Sequence, residues 1–304
     1  MSCLTNPNLF QFVACPQCGG DLIEDSTSLY CNQCSSKFEV MRGIPLLYPS
    51  GMDPVHLYEE ENLAAMMKSD RLTPKEKFSA AQWEFSKQEF WSMVERNIQP
   101  PSKAFINIGC GYDNNFSKIQ NMGNTFINFD MVYKMLFELQ DKFKAKSCVA
   151  GDITNLPFKK GKLDYVISID VLHHESEKLT AILVSFRDLL KNGGILFLED
   201  PNAWGIFQMA KSIFLPIPVY RRLRSIYHRI RKSSHRPADY ESPTNVWGVV
   251  AILKKLGFED IKVYPHIAYP CISKTSYQLF KALSTFDFIR KFHNYHYMIS
   301  ATKC

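Results

Sequence analysis

The chain has no apolar run approaching the ~18 residues that a membrane-crossing helix needs. Its longest candidate, SIFLPIPVY from Ser212 to Tyr220, is broken by two prolines. The opening residues MSCLTNPNLF lack a basic stretch followed by an apolar one, so no secretory leader is expected. The closing residues ATKC end on the cysteine itself and are no prenylation box. A lysine is missing where it would matter for a polyphosphate. The turn INIGCGY contains Gly109 and Gly111, but no Gly-Lys-Ser/Thr follows it. Acid is missing from one segment altogether: Arg221 to Arg236 holds seven Lys/Arg and no Asp or Glu.

What is present describes an ordinary globular protein. Of 304 residues, 46% are hydrophobic and 22% charged, with a net charge of +6. That length suits one large domain plus a small module. Four of the nine cysteines form two tight pairs and the other five are scattered. The pattern favours a metal site in a reducing compartment over a disulfide framework, so a cytoplasmic protein is expected.

Cys15-Pro-Gln-Cys18 and Cys31-Asn-Gln-Cys34 are two CxxC knuckles separated by the twelve residues Gly19 to Tyr30. Each aims two thiolates at a common point, and together they make the tetrahedral sulfur cage that structural Zn²⁺ accepts. A redox dithiol and four metal-free buried cysteines are the rival readings. Residues 9–49 also resemble the small zinc-ribbon family that activates tRNA and rRNA methyltransferases, through the apolar lead-in, the ribbon and the GIPLLYP tail. A zinc ribbon over residues 1–50 is therefore expected, with protein contact through it left open.

Residues 51–100 read as a helical linker or lid interrupted near Pro74. Its aromatics Phe78, Trp83, Phe85, Phe90 and Trp91 fit a packing face better than a ligand cover. From Ala104 short apolar runs alternate with helical periodicity, which predicts an α/β doubly wound, Rossmann-like sheet. Ligands of such sheets sit beyond the carboxyl ends of the strands. Three acids follow those ends: Asp130 after INF, Asp152 after AG, and Asp170 after ISI. They repel a polyphosphate and suit a ligand with a cationic centre.

At this point residues 100–304 resemble the class I S-adenosylmethionine-dependent methyltransferases, of the type 11 kind. INIGCG, FD, GDITNLPF, LDYVISIDVLHH and LLKNGGILFLEDPN stand in the order of that family's motifs. The resemblance implies a seven-stranded sheet over residues 101–304 with YHYMISATK as its antiparallel last strand, interrupted by an insertion over 203–243. It also implies S-adenosylmethionine contacts from Asn107, Gly109, Cys110, Gly111, Asp130, Met131, Asp152, Ile153 and Asp170. Asn107 stands where an acid is common, and Asp113 where a third glycine is. His174, beside His173 after the fourth strand, is a candidate general base, with a structural role as the alternative. The acceptor is expected to be a small molecule, a glycan or a lipid-linked group. Basic residues 221–236 leave peripheral membrane contact, RNA contact and plain solvation open. A non-catalytic scaffold is the remaining alternative.

Overall fold

In the computed structural model the described residues are 6–25, 28–51, 87–99, 101–203 apart from 112 and 114, 244–264, 266 and 296–304, with positions 278, 282 and 286. Most of the linker and the whole basic insertion thus lie outside the described residues, as does most of the C-terminal aromatic segment 277–292.

The chain begins with four short strands joined antiparallel in sequence: β1 (Leu22–Glu24), β2 (Ser28–Cys31), β3 (Lys37–Met41) and β4 (Ile44–Leu47). Arg42 and Gly43 make the turn between the last two, with φ of 53° and 81°. Two successive positive values give the type I′ geometry whose twist matches a hairpin.

After helix α1 (residues 87–97) the alternation read from sequence appears as β5 (Ala104–Ile108), α2 (Phe116–Asn121), β6 (Thr125–Asp130), α3 (Tyr133–Phe143) and β7 (Ser147–Gly151). It continues through β8 (Leu163–Ile169), α4 (Leu179–Leu189), β9 (Leu190–Pro201), α5 (Val246–Lys255), β10 (Phe258–Tyr264) and β11 (His296–Lys303). The spatial order is β4-β7-β6-β5-β8-β9-β11-β10, with the hairpins continuing beyond β4. β5 to β9 run parallel, and β11 inserts antiparallel between β9 and β10.

Among the described residues, 101–304 supply seven strands, β5 to β11, and the sheet continues beyond them. An eighth, β4, pairs parallel with β7 through Leu46↔Ala150 and Leu47↔Gly151. Gly151 makes that approach feasible, because a Cβ there would stand 2.9 Å from the Leu47 carbonyl oxygen. The strands β1 to β4 are thus an extension of the main sheet.

Period-two alternation sorts the strand side chains onto two faces. Ala104, Ile106 and Ile108 of β5 join one apolar core with Ile182, Leu183 and Phe186 of α4 and Val249 and Leu253 of α5. Phe105 joins the other, with Phe90 and Trp91 of α1, Phe116 of α2 and Leu136 and Leu139 of α3. The packing reading of the aromatic run holds for Phe90 and Trp91; Phe78, Trp83 and Phe85 lie outside the described residues. On this second face Phe126, Phe105 and Tyr165 stack across neighbouring strands at centroid separations of 5.8 and 4.5 Å. Such rows fix strand register and hold the carboxyl ends of β5 to β9 on one rigid edge.

Candidate active site

The turn after β5 is shaped by two left-handed glycines, Gly109 at φ 70° and Gly111 at φ 50°. They are glycines for different reasons. A Cβ on Gly109 would come within 2.2 Å of Val171 Cγ2, whereas one on Gly111 would meet nothing within 4 Å. Gly109 therefore lets the loop after β8 close onto the turn, and Gly111 leaves space beside it. The Gly111 N–H donates to Asp130 Oδ2 at 2.8 Å, and the Val132 N–H donates to Asp130 Oδ1 at 2.8 Å. Burial raises the Asp130 pKa, against the lowering effect of these two donors. The Met131 N–H acts in the same direction, and a carboxylate with about four lone-pair directions keeps acceptor capacity beyond these donors.

Asn107 lies one strand residue before the turn and is almost fully buried, yet neither its Oδ1 nor its Nδ2 has a hydrogen-bond partner. Orphaned buried polar atoms are costly, and these two fit a polar ligand group over the turn. Cys110 is buried, and its N–H and that of Gly109 both reach the Phe129 carbonyl, at 3.1 and 2.8 Å. Asp113, in place of a third glycine, has a structural task. Its Oδ2 accepts from Trp91 Nε1 at 2.6 Å and its Oδ1 from the Asn115 N–H at 3.0 Å. Helix α1 is thereby tied to the glycine turn.

Asp152 follows β7 and caps a short turn, Ile153–Asn155. Its Oδ1 accepts from the Thr154 N–H at 2.8 Å and its Oδ2 from Thr154 Oγ1 at 2.9 Å. The cysteine module grips this turn. Asn155 Nδ2 donates to the Pro16 carbonyl at 2.7 Å, and the Ala14 and Lys159 N–H groups bond Pro157 and Phe12 carbonyls at 2.9 and 2.6 Å. Tyr48, in the module's tail, donates to the Met131 carbonyl at 2.6 Å. Met131 and Ile153 are therefore held from the N-terminal side.

Acids and imidazoles gather at the ends of β8 and β9. Asp170 has φ 57°, and its N–H bonds the Glu199 carbonyl at 2.9 Å. Burial, then the neighbouring Glu199 charge, raises its pKa to about 6. His173 Nδ1 lies 3.0 Å from Asp200 Oδ1 and 3.7 Å from Asp170 Oδ1. Glu199 pairs with His296 Nδ1 and lies 3.5 Å from His266 Nε2. His174 is exposed, its N–H donates to the Val171 carbonyl at 3.1 Å, and its pKa is pushed down by surrounding protein and by His173. His173, unlike the exposed His174, is held against the buried Asp200.

The four thiols Cys15, Cys18, Cys31 and Cys34 converge, all lying within 4.8 Å of one another. Cys15 and Cys34 sulfurs are 3.6 Å apart, and those of Cys18 and Cys31 3.4 Å. Tetrahedral Zn²⁺ with Zn–S near 2.3 Å sets sulfurs about 3.8 Å apart. The Gln17 and Gln33 N–H groups each point at a cysteine sulfur, at 3.4 Å. That donor set suits thiolates around a cation.

Of the expected cofactor residues, Gly109, Cys110, Gly111 and Asp130 come together in one turn, while Asp152 and Asp170 stand at neighbouring strand ends. Asp200, Glu199 and His296 went unnoticed in sequence. Their signal was two acids closing an apolar strand, LFLED, and a histidine heading another, HYMISA.

Residues 106–198 match the methyltransferase domain family. No curated protein matches the chain in sequence. Among solved structures, a protein described as a possible exported protein of Bordetella parapertussis shares 13% identity and a TM-score of 0.51, covering 78% of this chain and 75% of its own. A SAM-dependent methyltransferase of Archaeoglobus fulgidus shares 18% identity and a TM-score of 0.49, covering 72% of this chain and 94% of its own. A phosphoethanolamine N-methyltransferase of Haemonchus contortus shares 15% and 0.48, covering 71% and 52%. No helix among the described residues is long and apolar enough to cross a membrane.

Proposed function

We propose that the chain, whose residues 106–198 match the methyltransferase domain family, is a class I S-adenosylmethionine-dependent methyltransferase with a structural Zn²⁺ in its N-terminal ribbon. The observation that carries the cofactor reading is the Gly111–Asp130 hydrogen bond of 2.8 Å beside the orphaned Asn107 amide. Asp130 keeps acceptor sites for a ribose diol, Asn107 offers both a donor and an acceptor to the amino-acid part, and Gly111 leaves room for close approach. Asp152 and Ile153 flank the adenine, and Asp170 adds a negative charge near the sulfonium. When bound, the cofactor supplies an electrophilic methyl group, and the protein aligns the acceptor with it.

The ribbon's role in this reading is to hold Met131 and the Ile153–Asn155 turn in place. The acceptor is proposed as a small molecule, glycan or lipid-linked group, handled in the cytoplasm or at a membrane surface, a reading that the charge of basic residues 221–236 supports. Titration calorimetry with S-adenosylhomocysteine tests the cofactor claim. Saturable heat with wild type, and none with Asp130→Ala, is the expected result; no heat with wild type at millimolar ligand sinks it. Labelled methyl transfer into organic-extractable or RNase-sensitive fractions of a cell extract then separates a lipid-linked acceptor from RNA.

A further inference from the structure

Resting on the cofactor reading, we propose that Asn128 shares with Asn107 the recognition of the cofactor's amino-acid end, the two forming a pair of neutral amides side by side beneath the glycine turn.

Strand register carries the assignment. Asn107 of β5 and Asn128 of β6 are direct partners across the parallel ladder. Period-two alternation puts them on the face of Phe105 and Phe126, which stand two residues earlier on the same strands. Asn107 is 1% exposed and Asn128 0%. Among the described residues, none of the four amide oxygen and nitrogen atoms of this pair has a hydrogen-bond partner. The large majority of buried polar side chains are bonded, so two adjacent exceptions call for a physical account.

The two amides cannot satisfy each other. Together they carry four N–H donors and two carbonyl oxygens, and a bond between them engages one donor and one acceptor site. The sheet around them offers no better. On the same row Asn128 is flanked by Cys148 of β7, and Asn107 by Ile167 of β8. The row beneath is Phe126 and Phe105, stacked at 5.8 Å. Two residues further along the same strands stand Asp130 and Gly109, the acid and the first glycine of the turn. Along the sheet, polar surroundings therefore begin only on the side assigned to the cofactor.

Neutrality is the chemical content of the pair. The amino-acid end of the cofactor carries an ammonium and a carboxylate. Amide carbonyls accept from the first and amide N–H groups donate to the second. A carboxylate at 107 or 128 would attract the ammonium alone and repel the other half. It would also lie close to Asp130, whose pKa burial already raises, and each charge would disfavour the other.

Two ligands compared by titration calorimetry test this. One is S-adenosylhomocysteine. The other is 5′-methylthioadenosine, which keeps the adenine, ribose and thioether and has no amino-acid end. Wild type should bind the first more tightly than the second. Asn128→Leu keeps the branched shape and removes the polar atoms. It should weaken S-adenosylhomocysteine about 10-fold or more, as loss of hydrogen bonds to charged groups does, and leave 5′-methylthioadenosine within about twofold. Asn107→Leu should show the same selectivity. Asn128→Ser, which retains a hydroxyl, should fall between wild type and the leucine variant, and it carries the test if that variant does not fold. Equal weakening of both ligands by the Asn128 variants, or of neither, overturns the proposal and leaves the pair a feature of sheet register. Wild type that binds both ligands equally overturns it too, with the cofactor site itself intact. Wild type that binds neither strikes at the cofactor reading underneath, and this inference falls with it.

Discussion

Asn155 Nδ2 donates to the carbonyl of Pro16 at 2.7 Å, so the turn capped by Asp152 and the first cysteine knuckle share a hydrogen bond. Pro16 lies between Cys15 and Cys18, and its carbonyl direction depends on how those two thiolates are held. The first prediction follows. Purified protein should contain one Zn²⁺ per chain by elemental analysis, and Cys18→Ser should lose it. Stripping the metal removes about 10–16 kcal/mol of local binding free energy, and S-adenosylhomocysteine affinity should fall with it. Asn155→Ala should keep the metal but weaken the coupling, measured as a smaller loss of affinity on chelation.

The buried pair Glu199–His296 predicts a stability profile bounded on both sides. Burial alone would raise the Glu199 pKa, but His296 and His266 outweigh it and hold the group at about 2. Its contribution is therefore present above the ordinary value of 4.5 and lost as pH falls from there towards 2. Burial alone would lower the His296 pKa, but Glu199 outweighs it and raises it above 6.5. That contribution is full below 6.5 and fades as pH climbs through the raised value. Urea denaturation across pH should show a maximum between these flanks. His296→Leu should flatten it and cost about 3–5 kcal/mol by stranding the Glu199 charge.

Trp91 and Asp113 provide a test of the departure from a three-glycine turn. Trp91→Phe removes the donor to a buried carboxylate and should cost about 1–3 kcal/mol, read from denaturant midpoints. Asp113→Gly restores the commoner residue and should nonetheless destabilise, because α1 loses its bond to the turn. An Asp113→Gly protein as stable as wild type would contradict this account.

Gly109→Ala meets two obstacles, a φ of 70° and a Cβ 2.2 Å from Val171 Cγ2. The combined cost is about 2–4 kcal/mol, with cofactor affinity lost as well. Adding Val171→Ala should recover the steric part of the stability and leave the conformational part. Thermal melts of the single and double variants check both.

Most of the sheet was legible in sequence because its strands are short, apolar and punctuated by turn residues. AFINI, TFINFD and LDYVISI each appear within a residue or two of where their composition puts them. The parallel addition of β4 was not legible, since a docked tail and a free one have the same alternation. Only Gly151 hints at it, and a glycine ending a strand has many explanations. Asp130 was readable as an acid closing a strand because that position is local information. The pairing of His173 with Asp200 was not, since 27 residues separate them and only the folded sheet brings them together. Chain order alone does not distinguish the adjacent His173 and His174.

Strand β4 also has a consequence for solubility. In an open sheet the outermost strand presents a row of unsatisfied amides and carbonyls, a template for another molecule. Leu46 and Leu47 cover that row on β7, and the hairpins beyond them end the array in a small, twisted, cysteine-bound tip. A chain trimmed of its first fifty residues would expose β7 and should self-associate edge to edge, whatever becomes of its chemistry.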